Sequence, residues 1–186
     1  MGTSCRNLYL LILILVLASA SLSIDVNAQA EWVAFSPSDN SFNITVPRKP
    51  TYQHDSLNYE ERGLFEGNTH ADTYDFSPSD SGTVGVITVF HLDRPKTRRQ
   101  FDRESDSVME VVGGDDKKFL KRTSVTVDGL HAREYVYLKG VICGRVRIVN
   151  AGKRILFLQY QTEAEMLPRF VDRIFNSFRV HPPNAK

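Results

Sequence analysis

Four successive segments constrain this chain of 186 residues more than any other feature: Phe119–Val127, His131–Lys139, Val141–Val149 and Arg154–Thr162. Each is rich in β-branched and aromatic residues. They are separated only by Asp128-Gly129, Gly140 and Ala151-Gly152. Connections that short reverse the chain but cannot carry it across to a parallel strand, so the segments predict four antiparallel, hairpin-linked strands.

A sheet of that size has apolar surface to cover, and two helical patterns supply cover. Between Arg94 and Val112, Pro95 suits a first turn and Phe101, Val108, Met109 and Val112 fall on one stripe, with Gly113-Gly114 as the stop. Pro168 starts a second helix whose Phe170, Val171, Ile174, Phe175 and Phe178 recur at i, i+1, i+4, i+5 and i+8. Ahead of these lie a strand at Trp32–Ser36, a turn at Pro37–Asn40, and a strand at Phe42–Val46 in which Phe42, Ile44 and Val46 alternate with Asn43 and Thr45. Pro47 and Pro50 end it. Residues 51–68 are polar and show no assignable period. A further strand near Ala71–Phe76 leads through the turn Ser77–Gly82 to an apolar strand at Thr83–His91. The fold class is therefore α+β, an antiparallel β-sheet flanked by helices, with one face of the sheet presented to them.

The N-terminus speaks to compartment. Arg6 precedes an apolar run, Leu8–Leu17, of about ten residues, the size of a signal-peptide core and half of what a membrane span needs. Ala28-Gln29-Ala30 matches the A-x-A cleavage pattern, with Ala18-Ser19-Ala20 as the competing cut and an uncleaved anchor as the alternative to cleavage. Residues 1–30 thus read as a signal peptide and residues 31–186 as a single exported domain, periplasmic or secreted, with no membrane span after cleavage. Cys5 precedes the apolar core and is not placed for lipid modification.

The exported part keeps one cysteine, Cys143, inside Val141-Ile142-Cys143, so it has no internal disulfide and its thiol is expected to be buried. Asn43-Ile44-Thr45 is an N-glycosylation sequon, relevant only in a host that glycosylates. Charge is uneven. Residues 31–93 carry three basic and ten acidic residues, a balance of −7, whereas residues 94–186 carry nineteen and eleven, a balance of +8. Mutual attraction of the halves and a two-sided charged surface both fit that asymmetry.

Three stretches together resemble a known architecture. They are Trp32-x-x-Phe35-Ser36-Pro37 with Phe42-x-Ile44-x-Val46-Pro47-x-Lys49-Pro50, then Gly129-Leu130-His131-Ala132-Arg133-Glu134, and last Phe170-x-x-x-Ile174-Phe175-Asn176-Ser177-Phe178. Spread along residues 31–180, they resemble the PsbP-like α/β/α sandwich superfamily in its exported bacterial branch. The resemblance implies a scaffold whose members are mostly binding or assembly accessories, with Trp32, Phe35 and Phe42 as core anchors. Some exported relatives join such a module to a TonB-type C-terminal domain, which is not expected in a sequence running to Lys186. Asn40-Ser41 stands where the superfamily's turn commonly has glycine.

Catalytic patterns are missing. No Gly-x-Ser-x-Gly elbow occurs, and Gly113-Gly114 follows a helix and precedes Asp115-Asp116, the reverse of a phosphate cradle. The chain is therefore read as non-enzymatic, with no cofactor expected. His70-x-Asp72 would point to one side of a strand, with Asp75 and His54-Asp55 nearby, but two ligands do not make a metal site. His91 reads as a strand-end residue, and His131 and His181 lack an acidic partner at a telling spacing. Cations concentrate at Arg94, Lys96, Arg98, Arg99 and Arg103, and again at Lys117, Lys118, Lys121 and Arg122. Export and the lack of a stacking platform argue against nucleic acid. The expected role is a binding or assembly accessory contacting an envelope protein or anionic surface through region 94–122. The alternative is a small-ligand or metal site near His70 and Asp72.

Overall fold

The computed structural model describes residues 32–55, 63–79, 82–112 and 116–181; the signal peptide read at 1–30 and the Gly113-Gly114 stop lie outside the described residues. In chain order the elements are β1 (Val33–Phe35), β2 (Phe42–Val46), β3 (Thr51–His54), β4 (Asn68–Asp75), β5 (Val84–Leu92), α1 (Arg98–Val111), β6 (Lys118–Val127), β7 (Leu130–Lys139), β8 (Ile142–Asn150), β9 (Arg154–Glu163), α2 (Phe170–Ser177) and β10 (Arg179–Val180). Seven strands form one antiparallel sheet in the order β3-β4-β5-β9-β8-β7-β6, and β1-β2-β10 form a small second sheet. The four expected hairpin strands are the meander β6–β9, each paired with its sequence neighbour. Asp128 and Gly129 both take positive φ, 49° and 81°, as a two-residue hairpin turn requires.

Period-2 alternation sends each strand's side chains to opposite faces, and both faces are buried. On β9, Leu156, Leu158 and Tyr160 join one apolar layer and Ile155 and Phe157 the other. The first layer holds Phe42, Ile44 and Val46 of the small sheet with Val171, Ile174, Phe175 and Phe178 of the α2 region. The second holds Phe101, Val108 and Met109 of α1. The helices therefore sit on opposite faces, correcting the expectation that one face serves both. The result is α1, the large sheet, then α2 with the small sheet: an α/β/α sandwich. Continuous apolar runs such as Ile155-Leu156-Phe157-Leu158 carry that two-sided burial in the sequence.

Helix α1 starts later than Pro95. Thr97 caps it, its hydroxyl accepting from the Gln100 amide while the Gln100 side chain accepts from the Thr97 amide. Phe42 is fully buried, but Trp32 and Phe35 only pack against the core edge, Trp32 meeting Phe170 edge-on at 6.2 Å. Asn40 explains the departure from glycine in the first turn. Its φ is 51°, a left-handed conformation that asparagine tolerates better than most residues.

Neighbouring residues Arg133 and Glu134 tie one helix to each face. Arg133 Nη2 donates to Asp106 of α1 at 2.8 Å, and Tyr135 Oη donates to the same oxygen at 2.6 Å. On the opposite face Glu134 accepts from Arg145 at 3.1 Å and from Arg147 at 3.0 and 2.6 Å. Arg145 then reaches Asp172 of α2 at 2.8 Å, and Arg147 donates to the Phe175 carbonyl in that helix's last turn. Burial pushes the Glu134 carboxyl up, but the two guanidiniums outweigh it and hold it below the ordinary glutamate range.

Candidate functional site

Three neighbouring strands place three imidazoles around one carboxylate. Register fixes the grid: His54 on β3 lies opposite Asp72 on β4, and His70 on β4 lies opposite His91 on β5. His70 and Asp72 share a face by alternation, as the sequence predicts, and His54, His91 and Tyr52 project from that same face. His54 Nδ1 and Tyr52 Oη each meet Asp72 Oδ1 at 2.8 Å, and His91 Nε2 meets Oδ2 at 2.9 Å. The His70 ring stacks flat on His91 with centroids 4.1 Å apart and planes 9° apart. One ligand atom from each of His70, Asp72 and His91 lies within 4.8 Å of the other two.

Burial pushes the Asp72 carboxyl up, yet the hydrogen bonds from His54, Tyr52 and His91 outweigh it and hold the group below the usual aspartate range. Burial pushes His91 down and charge on stacked His70 pushes it further, which together outweigh the raising effect of Asp72. Tyr52 is raised by its hydrogen bond to Asp72. Thr69 settles the His70 tautomer. Its hydroxyl donates to the His91 carbonyl at 2.9 Å, so at its 3.0 Å contact with His70 Nδ1 the oxygen must accept. His70 therefore carries a proton on Nδ1, and its Nε2 has no hydrogen-bond partner among the described residues.

Of the expected cations of region 94–122, two are covered and several are paired within the fold. Lys96 is buried, its ammonium bonded to the Glu66 carbonyl and to Glu104 at 3.0 Å, so it holds a loop to α1 instead of facing a partner. The Lys117 head group is likewise covered, donating to the Glu110 carbonyl. Arg94 pairs with Glu66 at 2.9 Å, Arg98 with Asp102 at 4.0 Å, Lys121 with Glu134 at 3.4 Å and Arg122 with Glu110 at 2.6 Å. Arg99, Arg103 and Lys118 are exposed and have no ion pair among the described residues. β6 is an edge strand of the large sheet and is exposed along most of its length.

Other sequence candidates resolve plainly. Cys143 is buried and its thiol is pushed up by that burial. His131 finds Asp102 on α1 at 2.6 Å, and His181 meets Asn43 of the sequon at 3.0 Å. Asp75 turns away to cap the Ser77 amide. His91 is the residue that sequence reasoning missed. It lies opposite His70 only through the observed β4–β5 register, which pairs Asp75 with Val86. A cavity of about 370 Å³ between the end of β6 and α2 is lined by Val127, Asp128, Arg147, Phe178 and Arg179, and Asp128 there pairs with Arg179 at 3.8 Å. No helix among the described residues is long and apolar enough to cross a membrane.

No protein-family model matches the chain, and no curated protein does. Solved structures do. PsbP from the cyanobacterium Synechocystis matches over 82% of this chain and 94% of its own, at 14% identity and a TM-score of 0.53. A structure from Bacteroides thetaiotaomicron matches over 82% of this chain at 10% identity and a TM-score of 0.46; the chain spans only 49% of that protein's length. The Saccharomyces cerevisiae Ran-binding protein Mog1p matches over 81% of this chain and 96% of its own, at 9% identity and a TM-score of 0.44. Identities this low speak to fold alone, and of these three the Synechocystis likeness carries it.

Proposed function

We propose, from the premise of a PsbP-like fold, that this chain is an exported, non-enzymatic binding or assembly accessory. Its contact surface is the side bearing α1 and the open edge of β6, and its partner is an acidic envelope protein. Export is supported by the short apolar run at 8–17 followed by Ala28-Gln29-Ala30. The observation that carries the contact surface is the set Arg99, Arg103 and Lys118, exposed and without ion pairs among the described residues, with Lys118 on an edge strand whose outer backbone groups are open. Lysines on an edge strand also guard against aggregation. Arg99 and Arg103, one helical turn apart on α1, have no edge to guard, and their charge favours the contact reading.

Capture from a native envelope extract tests the reading. The untagged domain immobilised at low salt should retain a defined acidic protein and release it at high salt as the charges are screened. Changing Arg99, Arg103 and Lys118 together to Glu should abolish capture while the fold persists. Unchanged capture by that variant overturns the proposal. So does equal retention of anionic lipid vesicles by the wild-type domain in place of a protein.

A further inference from the structure

We propose that His70, Asp72 and His91 bind one divalent transition-metal ion of the zinc, nickel or copper class. The site is separate from the contact surface proposed above and stands on its own geometry. Hydrogen bonding by itself accounts for Tyr52, His54 and His91, all of which donate to Asp72. It does not account for His70. That ring stacks on His91 and donates from Nδ1 to Thr69, and its Nε2 has no hydrogen-bond partner among the described residues.

The donors suit such an ion. Two imidazole nitrogens and one carboxylate oxygen favour borderline divalent metals over magnesium or calcium, which prefer all-oxygen shells. Three protein ligands at bonds of about 2.0–2.2 Å in a tetrahedron stand about 3.4 Å apart. Ligand atoms already within 4.8 Å therefore need only small rotamer changes. The Asp72 carboxylate is oriented in advance. Tyr52 and His54 both hold Oδ1, leaving Oδ2 to the metal once His91 yields its contact. His91 then coordinates through Nε2, with its ring proton on Nδ1. The cation opposite His91 on β9, Arg154, is already paired with Asp39 at 3.1 Å and with the His181 carbonyl. It does not cancel the charge of Asp72.

The experiment is a calorimetric titration of untagged protein with Zn²⁺, paired with Co²⁺ absorption spectra to report ligand geometry. One ion per chain is expected, with a visible Co²⁺ spectrum of low-coordinate character. His70→Ala and His91→Ala should each weaken binding by about 100-fold or more. Tyr52→Phe should weaken it by about 10-fold through the loosened carboxylate. His131→Ala and His181→Ala should leave it unchanged, as should the Arg99, Arg103 and Lys118 charge reversal. Tyr52 is exposed, so its variant keeps the fold even if the His91 variant does not. Absence of stoichiometric uptake overturns the site, and so does equal weakening by His131→Ala.

Discussion

Replacing Glu134 by Ala removes the anion on which two guanidiniums converge. The Glu134 side chain is 3% exposed, and those of Arg145 and Arg147 are 14% and 11% exposed. Four hydrogen bonds from the two arginines are lost, the shortest at 2.6 Å, and two like charges are left facing each other above the Phe175 ring. Removing one partner of a buried ion pair costs about 3–5 kcal/mol. Arg145 keeps exposed Asp172 and Arg147 keeps the Phe175 carbonyl, which places this case near the lower end, about 3 kcal/mol. For a domain of this size that corresponds to a fall in Tm of about 6–12 °C. Urea unfolding of wild type and variant at pH 7 measures it. The Glu134 carboxyl is depressed in the folded state, so its contribution is complete above the unfolded glutamate value of about 4.3 and is lost as pH falls through the lower folded value. The gap between wild type and variant should therefore close in acid. A loss under about 1 kcal/mol at pH 7, or a gap that widens in acid, refutes the reasoning.

Two further substitutions probe the scaffold. Gly144 lies opposite Tyr137, and a Cβ there would come within 2.3 Å of the tyrosine ring, so Gly144→Ala should destabilise by about 1–3 kcal/mol in the same unfolding assay. Asn40 has φ of 51°, so Asn40→Ala should cost about 1–2 kcal/mol while Asn40→Gly leaves the melting curve nearly unchanged.

The legible parts of the fold were those with a period and a stop. β2 alternates, the strands of the β6–β9 meander end at Asp128-Gly129, Gly140 and Gly152, and α2 has a wide apolar stripe. β3 was not legible because all four residues, Thr51-Tyr52-Gln53-His54, are exposed on an edge and carry no alternation. β10 was hidden by its length, two residues whose pairing to β2 depends on where α2 delivers the chain. The placement of the helices on two faces turned on runs such as Ile155–Leu158, which suit burial on both sides but do not say which helix goes where. At the histidine cluster, His70 and Asp72 could be put on one side from their spacing alone. His54 and His91 come from other strands and join them only through register. In the basic region composition misled, because Lys96 and Lys117 spend their charge inside the fold.

Carbodiimide cross-linking of lysines to partner carboxylates in intact native cells, read by mass spectrometry, tests the contact surface most directly. Lys118 and Lys121 on the β6 edge should supply the intermolecular cross-links, whereas covered Lys96 and Lys117 should not. Cross-links arising instead from Lys49 or Lys153, which lie outside region 94–122, would contradict the account.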